Sequence, residues 1–315
     1  MKLDFKTTAF VFPGQGSQSV GMGRDLAEQF PAASQTFEEA DSILGRALSK
    51  LMWDGPEADL NDTVNTQPAL YVHSLAAFRA FTELYLAFRP VALAGHSLGE
   101  LSALAASGAL TFEAGLRLVR ARGELMKRAG ELAPGGMAAI LNLDIPALEK
   151  VCAEASRTGE TVQVANDNCP GQVVISGAKA AVERAMEGAK AAGAKRAIPL
   201  AVSIAAHSPL MASIQDEWNE AVNAAALSDA GIPVIGNVQA KSIRSAAELG
   251  ADIQSQMQSR VRWTESIRAM IGDGITKFVE VGSGSVLGGL IRRIDPAVNS
   301  LTLGTPQDFE ALQSS

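Results

Sequence analysis

The sequence predicts an α/β fold: a larger domain with a mostly parallel sheet, interrupted by a small inserted β-α-β-β-α-β unit. Three observations carry this expectation. Short apolar, β-branched runs alternate with longer segments of helical period along the chain. Gly95-His96-Ser97-Leu98-Gly99 stands between one such run and a helical segment. From 137 to 200 the rhythm changes to strand, helix, two strands, helix and strand, the split pattern of a ferredoxin-like unit.

Taken in order, 8–12 reads as a buried strand that ends at Pro13-Gly14-Gln15-Gly16. A helical stretch follows, with breaks at Gly45 and Gly55, and another runs over 67–88. Pro90 introduces a strand over 91–94. Segments 98–106 and 112–129 read as helices, separated by Gly108 and Thr111. In the insert, 137–143, 162–166, 173–176 and 195–200 are the predicted strands. Cys169-Pro170-Gly171 is a turn, and 145–155 and 178–192 are helices. Beyond it come a helix over 209–226, a strand over 234–238 and one long helical region over 246–272. A strand over 277–281, a helix from Ser285 and a last strand over 300–303 complete the series. The domain division expected from this order is a discontinuous core of 1–131 and 204–315 around a subdomain of 132–203.

The bulk numbers narrow the class. With 315 residues, 47% of them hydrophobic, the chain is long enough to bury a large core. A formal charge of −7 argues against non-specific nucleic-acid binding, which needs a basic surface. Met1-Lys2-Leu3-Asp4-Phe5-Lys6 lacks the apolar core of a signal peptide, and no uncharged apolar run reaches the roughly 18 residues of a membrane span. Cys152 and Cys169 show no metal-ligand spacing and are expected as reduced thiols of a cytoplasmic enzyme.

Gly95-His96-Ser97-Leu98-Gly99 fits the G-x-S-x-G nucleophile elbow, and its strand-before, helix-after context is the setting that motif requires. Ser97 would then stand at a helix N-terminus, where free N–H groups favour a developing oxyanion. A serine hydroxyl needs a base, and the chain holds three histidines. His96 adjoins the nucleophile, so its side chain is expected to project away. His73 lies in an apolar helical stretch and reads as a packed residue. His207 follows a strand, in the turn Ala205-Ala206-His207-Ser208-Pro209, where catalytic groups collect in α/β proteins. A thioesterase or esterase is the rival enzyme class, with Asp144 and Asp167 as nominal acids. A docking module without catalysis leaves Ser97 and His207 without purpose. Gly14-x-Gly16 and Gly282-x-Gly284 read as turns at strand ends rather than nucleotide loops.

Longer landmarks then become recognisable. Phe10-Val11-Phe12-Pro13-Gly14-Gln15-Gly16-Ser17-Gln18, Gly21-Met22-Gly23, Gly95 to Glu100 and Arg120-Ala121-Arg122-Gly123-Glu124-Leu125-Met126 occur in order. So do Asn166 to Gln172, Ala206-His207-Ser208-Pro209-Leu210-Met211, Val261-Arg262-Trp263 and Glu280 to Gly284. Together they resemble the malonyl-CoA:acyl carrier protein transacylases of fatty-acid and polyketide synthesis. That resemblance implies a hydrolase-like core with a ferredoxin-like insert. It makes Ser97 the acylated nucleophile, His207 its base and Arg122 the clamp on the malonyl carboxylate, a role suited to a planar guanidinium with parallel donors. It further implies an oxyanion hole from the backbone N–H groups of Gln15 and Leu98, and a main chain at Gln256 that orients the histidine in place of a triad carboxylate. Asn166 and Asn168 face the cleft between domains by the same resemblance, though from their own chemistry they read equally as turn residues. The implied partners are an acyl carrier protein and a coenzyme A thioester, the implied state is a monomer, and no cofactor or metal is required. Two departures bear on substrate choice: 256–262 lacks the tyrosine and proline often found there, and Ala206 stands where relatives often carry serine or phenylalanine, which predicts a larger acyl pocket. Leu98 favours malonyl over branched malonyl units.

Overall fold

A computed structural model describes residues 3–313. The strands are β1 (Thr8–Phe12), β2 (Ala92–Gly95), β3 (Gly135–Leu141), β4 (Val162–Cys169), β5 (Gln172–Ala178), β6 (Arg196–Pro199), β7 (Val234–Ile235), β8 (Ser242–Ile243), β9 (Lys277–Val281) and β10 (Asn299–Leu303). The helices are α1 (Arg24–Gln29), α2 (Pro31–Leu44), α3 (Leu48–Asp54), α4 (Glu57–Leu60), α5 (Thr63–Leu84), α6 (Gly99–Ala106) and α7 (Phe112–Leu132). They continue with α8 (Ile145–Ala155), α9 (Lys179–Ala191), α10 (Gln215–Ala224), α11 (Ala246–Gln256), α12 (Trp263–Gly272), α13 (Val286–Ile294) and α14 (Pro306–Gln313).

The first sheet has the order β10-β9-β1-β2-β7-β8, parallel throughout except at the β7–β8 edge. β1, β2 and β9 are buried at every position, as parallel strands covered on both faces must be. One apolar layer, including Phe10, Phe12, Leu70, Phe81 and Leu104, packs α5, α6 and α7 on one face. Ala9, Val11, Trp263, Ile267 and Leu287 fill the other face beneath α12 and α13. Since β1 lies between β2 and β9, the chain leaves it towards both sides. A crevice therefore opens beyond the carboxyl ends of β1 and β2, where Phe12 pairs with Gly95.

The second sheet is antiparallel in the order β4-β5-β3-β6, with α8 and α9 over a separate core that includes Ile140, Leu148, Ile175 and Val182. Its chain order β3-α8-β4-β5-α9-β6 is the ferredoxin-like unit. The insert is tied to the larger domain where Val261, between α11 and α12, pairs with Asn166 of β4: the Val261 N–H donates to the Ala165 carbonyl at 2.8 Å, and the Asp167 N–H donates to the Val261 carbonyl at 2.9 Å.

That junction corrects the sequence reading. The helical region expected over 246–272 is two helices, α11 and α12, joined by a turn over 257–259 and a short non-helical stretch that carries Val261. The residues there are compatible with a helix, but backbone pairing with β4 takes the N–H and carbonyl of Val261 out of any helical ladder. The expected helix over 209–226 opens as a 3-10 turn over Pro209–Ile214 before α10. The strand expected over 234–238 stops at Ile235. The helical stretch expected after Gly16 is four helices, α1 to α4, while β8 and α14 have no counterpart in the sequence reading. Among the described residues, no helix is long and apolar enough to cross a membrane.

Candidate active site

Ser97 is the turn residue between β2 and α6, with φ 53°, a left-handed backbone that non-glycine residues rarely adopt. The bend is possible because its flanks lack side chains. A Cβ on Gly95 would lie 1.9 Å from the Gly99 carbonyl carbon, and one on Gly99 would lie 2.0 Å from the Phe12 oxygen. Asn237 pins the turn from below: its Oδ1 accepts the Ser97 N–H at 2.8 Å and its Nδ2 donates to the Gly95 carbonyl at 2.7 Å. The Ser97 hydroxyl consequently points into the crevice.

Three side chains from distant segments converge there. His207 Nε2 is 2.8 Å from Ser97 Oγ, and Arg122 Nη2 donates to the same oxygen at 3.1 Å. His207 sits in the connection that returns from the insert, also left-handed at φ 59°. Its Nδ1 is 2.9 Å from the Gln256 carbonyl. A carbonyl oxygen only accepts, so Nδ1 carries the hydrogen and Nε2 offers a lone pair to the serine hydroxyl. Gln256 closes α11, and the break after it leaves that carbonyl outside a helical ladder. Gln163 steadies both segments by donating to the His207 carbonyl at 2.8 Å and the Gln258 carbonyl at 3.0 Å. Burial, and then the nearby Arg122 cation, bring the His207 pKa down to about 3, so the ring is neutral at neutral pH.

Arg122, on the buried face of α7, is 2% exposed. Its Nη1 donates to Gln67 Oε1 at 2.9 Å and its Nη2 to Gln256 Oε1 at 2.8 Å. These acceptors and Ser97 are all neutral, and no carboxylate lies within ion-pair distance of Arg122 among the described residues. Burial lowers its pKa to about 10, which leaves it cationic. A desolvated cation held by amide oxygens beside a nucleophile is arranged to receive an anionic group.

Gln15 and Leu98 line the same cleft. Gln15 is anchored through its Oε1, which accepts from Thr63 Oγ1 at 3.2 Å. Among the described residues, neither backbone N–H donates to another backbone carbonyl, so both are available at the cleft. Ala206, Met126, Met137, Val174, Leu200 and Ile204 form the apolar wall.

Asn166 and Asn168 are strand residues of β4, not turn residues, and both line the cleft. His96 also departs from expectation. Rather than projecting away, it lines the cleft, with Nε2 2.8 Å from Asn168 Oδ1 and its ring edge-on to Trp263 at 5.5 Å. The insert supplies the reason: β4 passes close beside the bend and offers a polar partner there. His73 is buried in α5, where its Nε2 meets the Gly304 carbonyl at 2.9 Å, away from the cleft. Asp144 caps α8 and Asp167 accepts from Thr264 Oγ1 at 2.6 Å, so the acids considered for a thioesterase are engaged elsewhere.

The sequence reading did not single out Gln67, Gln163, Asn237, Glu100 or Asp252. Glu100 carried a usable signal, since it is a charged residue in an otherwise mostly apolar helical run. The other four become legible only once the chain is folded.

Comparison with known proteins places this geometry in context. A family model described as acyl transferase domain matches residues 9–295. The malonyl CoA-acyl carrier protein transacylase of Bacillus subtilis is 45% identical over 302 residues, covering 96% of this chain and 95% of that protein. Its namesake in Escherichia coli K12 is 42% identical over 303 residues, covering 96% and 97%. Among solved structures, an acyl carrier protein S-malonyltransferase from Vibrio cholerae superposes with a TM-score of 0.94 at 44% identity, over 97% of this chain and 99% of that one. A malonyl-transacylase in complex with a type II PKS acyl-carrier protein gives 0.93 at 40% identity, over 98% and 100%.

Proposed function

Because the chain belongs to the acyl transferase domain family, we propose that it moves a malonyl group from malonyl-CoA to the phosphopantetheine thiol of an acyl carrier protein, through an ester on Ser97. One observation carries this reading: the Ser97 oxygen is within hydrogen-bond reach of a neutral histidine and of a buried arginine whose other acceptors are uncharged. A simple esterase has no use for that cation, whereas a dicarboxylic acyl group supplies its missing anion.

In the proposed cycle the malonyl carboxylate lies on Arg122 and the thioester carbonyl faces the N–H groups of Gln15 and Leu98. His207 Nε2 takes the hydroxyl proton as Ser97 Oγ bonds to the carbonyl carbon. The C–S bond then breaks, and the imidazolium returns its proton to the CoA sulfur. The carrier thiol next gives its proton to His207, attacks the serine ester and leaves with the malonyl group, restoring the Ser97 hydroxyl. The exchange transfers no electrons, so the proposed steps call for neither metal nor redox cofactor. Asn166 and Asn168 are proposed to border the path of the pantetheine arm. The buried thiols Cys152 and Cys169 accord with a cytoplasmic location, and a cleft built within one chain accords with a monomer.

The test is direct. Mixed with malonyl-CoA alone, the protein is expected to accumulate a malonyl adduct. When holo carrier protein is added, CoA and malonyl-carrier should form in equal amounts. Sustained CoA release without any carrier would mark a hydrolase and defeat the proposal.

The low pKa of the base adds a pH expectation. A histidine accepts a proton only when neutral, and one depressed from 6.5 to about 3 stays neutral through the range where an ordinary imidazole protonates. The acid limb of kcat/KM for malonyl-CoA is therefore expected below about pH 5. Half-loss near pH 6.5, measured with substrate below saturation, would contradict the buried state of His207.

A further inference from the structure

Beneath the nucleophile, on the side away from the cleft, two carboxyl groups are buried together. Glu100, in the first turn of α6, and Asp252, in α11, are 1% and 2% exposed, and they lie close enough for Asp252 to raise the Glu100 pKa. Glu100 also bonds to residues that hold the site, and Asp252 to the loop that follows Asn237. Glu100 Oε1 accepts the Asn237 N–H at 3.2 Å, and its Oε2 accepts from Gln256 Nε2 at 2.6 Å. Asp252 accepts the N–H groups of Val238 and Gln239 at 3.2 and 3.1 Å. The loop they belong to is fitted to that carboxyl: a Cβ on Gly236 would stand 2.7 Å from Asp252 Oδ1. No cation forms an ion pair with either acid among the described residues.

We propose that the Glu100–Asp252 carboxyl pair is a positioning element for acyl transfer, fixing Gln256 and Asn237 so that Arg122, His207 and the Ser97 turn keep their mutual geometry. The inference rests on the reading of Ser97 as the acylated nucleophile.

The reasoning turns on the Gln256 amide. Its Nε2 has two hydrogens, one donated to the Ser97 carbonyl at 3.0 Å and one to Glu100. With the NH2 held on that side, Oε1 must face Arg122, where it accepts. Without the carboxyl, the amide is free to turn its NH2 towards the guanidinium, two donors in opposition. The same residue's main chain holds His207, and Asn237 holds the turn. Two carboxyls buried side by side disfavour double ionisation. Consistent with this, burial, followed by the neighbouring Asp252, raises the Glu100 pKa well above the ordinary carboxylate range. A neutral Glu100 also leaves the Arg122 charge uncompensated for substrate.

Single-turnover acylation by malonyl-CoA, followed by intact mass, separates positioning from mere folding. Glu100→Gln puts an NH2 where Gln256 needs an acceptor. It is expected to lower the acylation rate constant about tenfold or more, with half-saturation by malonyl-CoA changed less than about threefold. In a Gln256→Ala background the same change should cost less than about threefold, because its route of action is gone. A Glu100→Gln protein with an unaltered rate constant and only a smaller acylated fraction would overturn the inference, as would fully additive losses in the double variant. Should Glu100→Gln not fold, Asp252→Asn is the second variant, with the same loss expected and the same coupling to Gln256. A wild type that never acylates defeats the reading of Ser97 and this inference together. A wild type that acylates normally beside an equally fast Glu100→Gln defeats only the inference.

Discussion

Ser97→Ala is expected to abolish the malonyl adduct and to lower transfer to the carrier by about 10⁴-fold or more, the order seen when a hydroxyl nucleophile is removed. The alanine keeps the backbone bend: the Ser97 N–H still meets Asn237, and Gly95 and Gly99 still allow the close packing of β2 on α6. Thermal stability should therefore change little, which separates lost chemistry from lost fold. His207→Ala is expected to cost about as much, because the hydroxyl is a poor nucleophile until Nε2 takes its proton. Removing both should cost no more than removing one, since the two act as a unit across a single 2.8 Å contact. Losses that multiply in the double variant would show that the histidine acts independently of the serine.

Arg122→Ala is expected to divide substrates by charge. The guanidinium stands 3.1 Å from the nucleophilic oxygen, desolvated and without an anion, so its interaction with a bound carboxylate is little screened by water. Its loss should lower kcat/KM for malonyl-CoA by roughly 10²–10³-fold, while acetyl-CoA changes by less than about tenfold. Arg122→Lys should recover only part of the malonyl rate. An ammonium is a point donor and cannot satisfy Gln67, Gln256 and a carboxylate in the fixed directions of a planar fork. If malonyl and acetyl rates fall together, the arginine serves the serine or the fold rather than the acyl group. The substitution also leaves two buried amide oxygens without donors, so a modest fall in melting temperature is expected alongside.

Arg122 illustrates how different kinds of site residue become visible. On α7 it is one arginine in a segment with several, and periodicity alone reads it as a solvated helix position. The resemblance of 120–126 to a family singled it out, and the fold supplied the physics: burial, neutral acceptors and the serine oxygen within reach. His96 shows the converse. Local reasoning turned it away from the site, yet β4 of the insert, some 70 residues later, brings Asn168 to 2.8 Å from its ring.

By itself the sequence determined the α/β alternation, the ferredoxin-like insert and the bend that presents Ser97. Each of these is encoded within a few neighbouring residues, as an apolar run, a helical period or a pair of glycines with no room for a Cβ. The tertiary structure alone decided how His207 and Arg122 meet at the Ser97 oxygen with Gln256 holding both, because the bonded pairs are 25, 49, 110 and 134 residues apart. It also decided that α11 ends at Gln256. Residues 246–272 carry local signals for one unbroken helix, and backbone pairing of Val261 with β4 outweighs them. The buried Glu100–Asp252 pair belongs to the same class. The apolar run around Glu100 hints at burial, but nothing local shows that Asp252 will lie beside it, since that depends on what the rest of the chain packs around them.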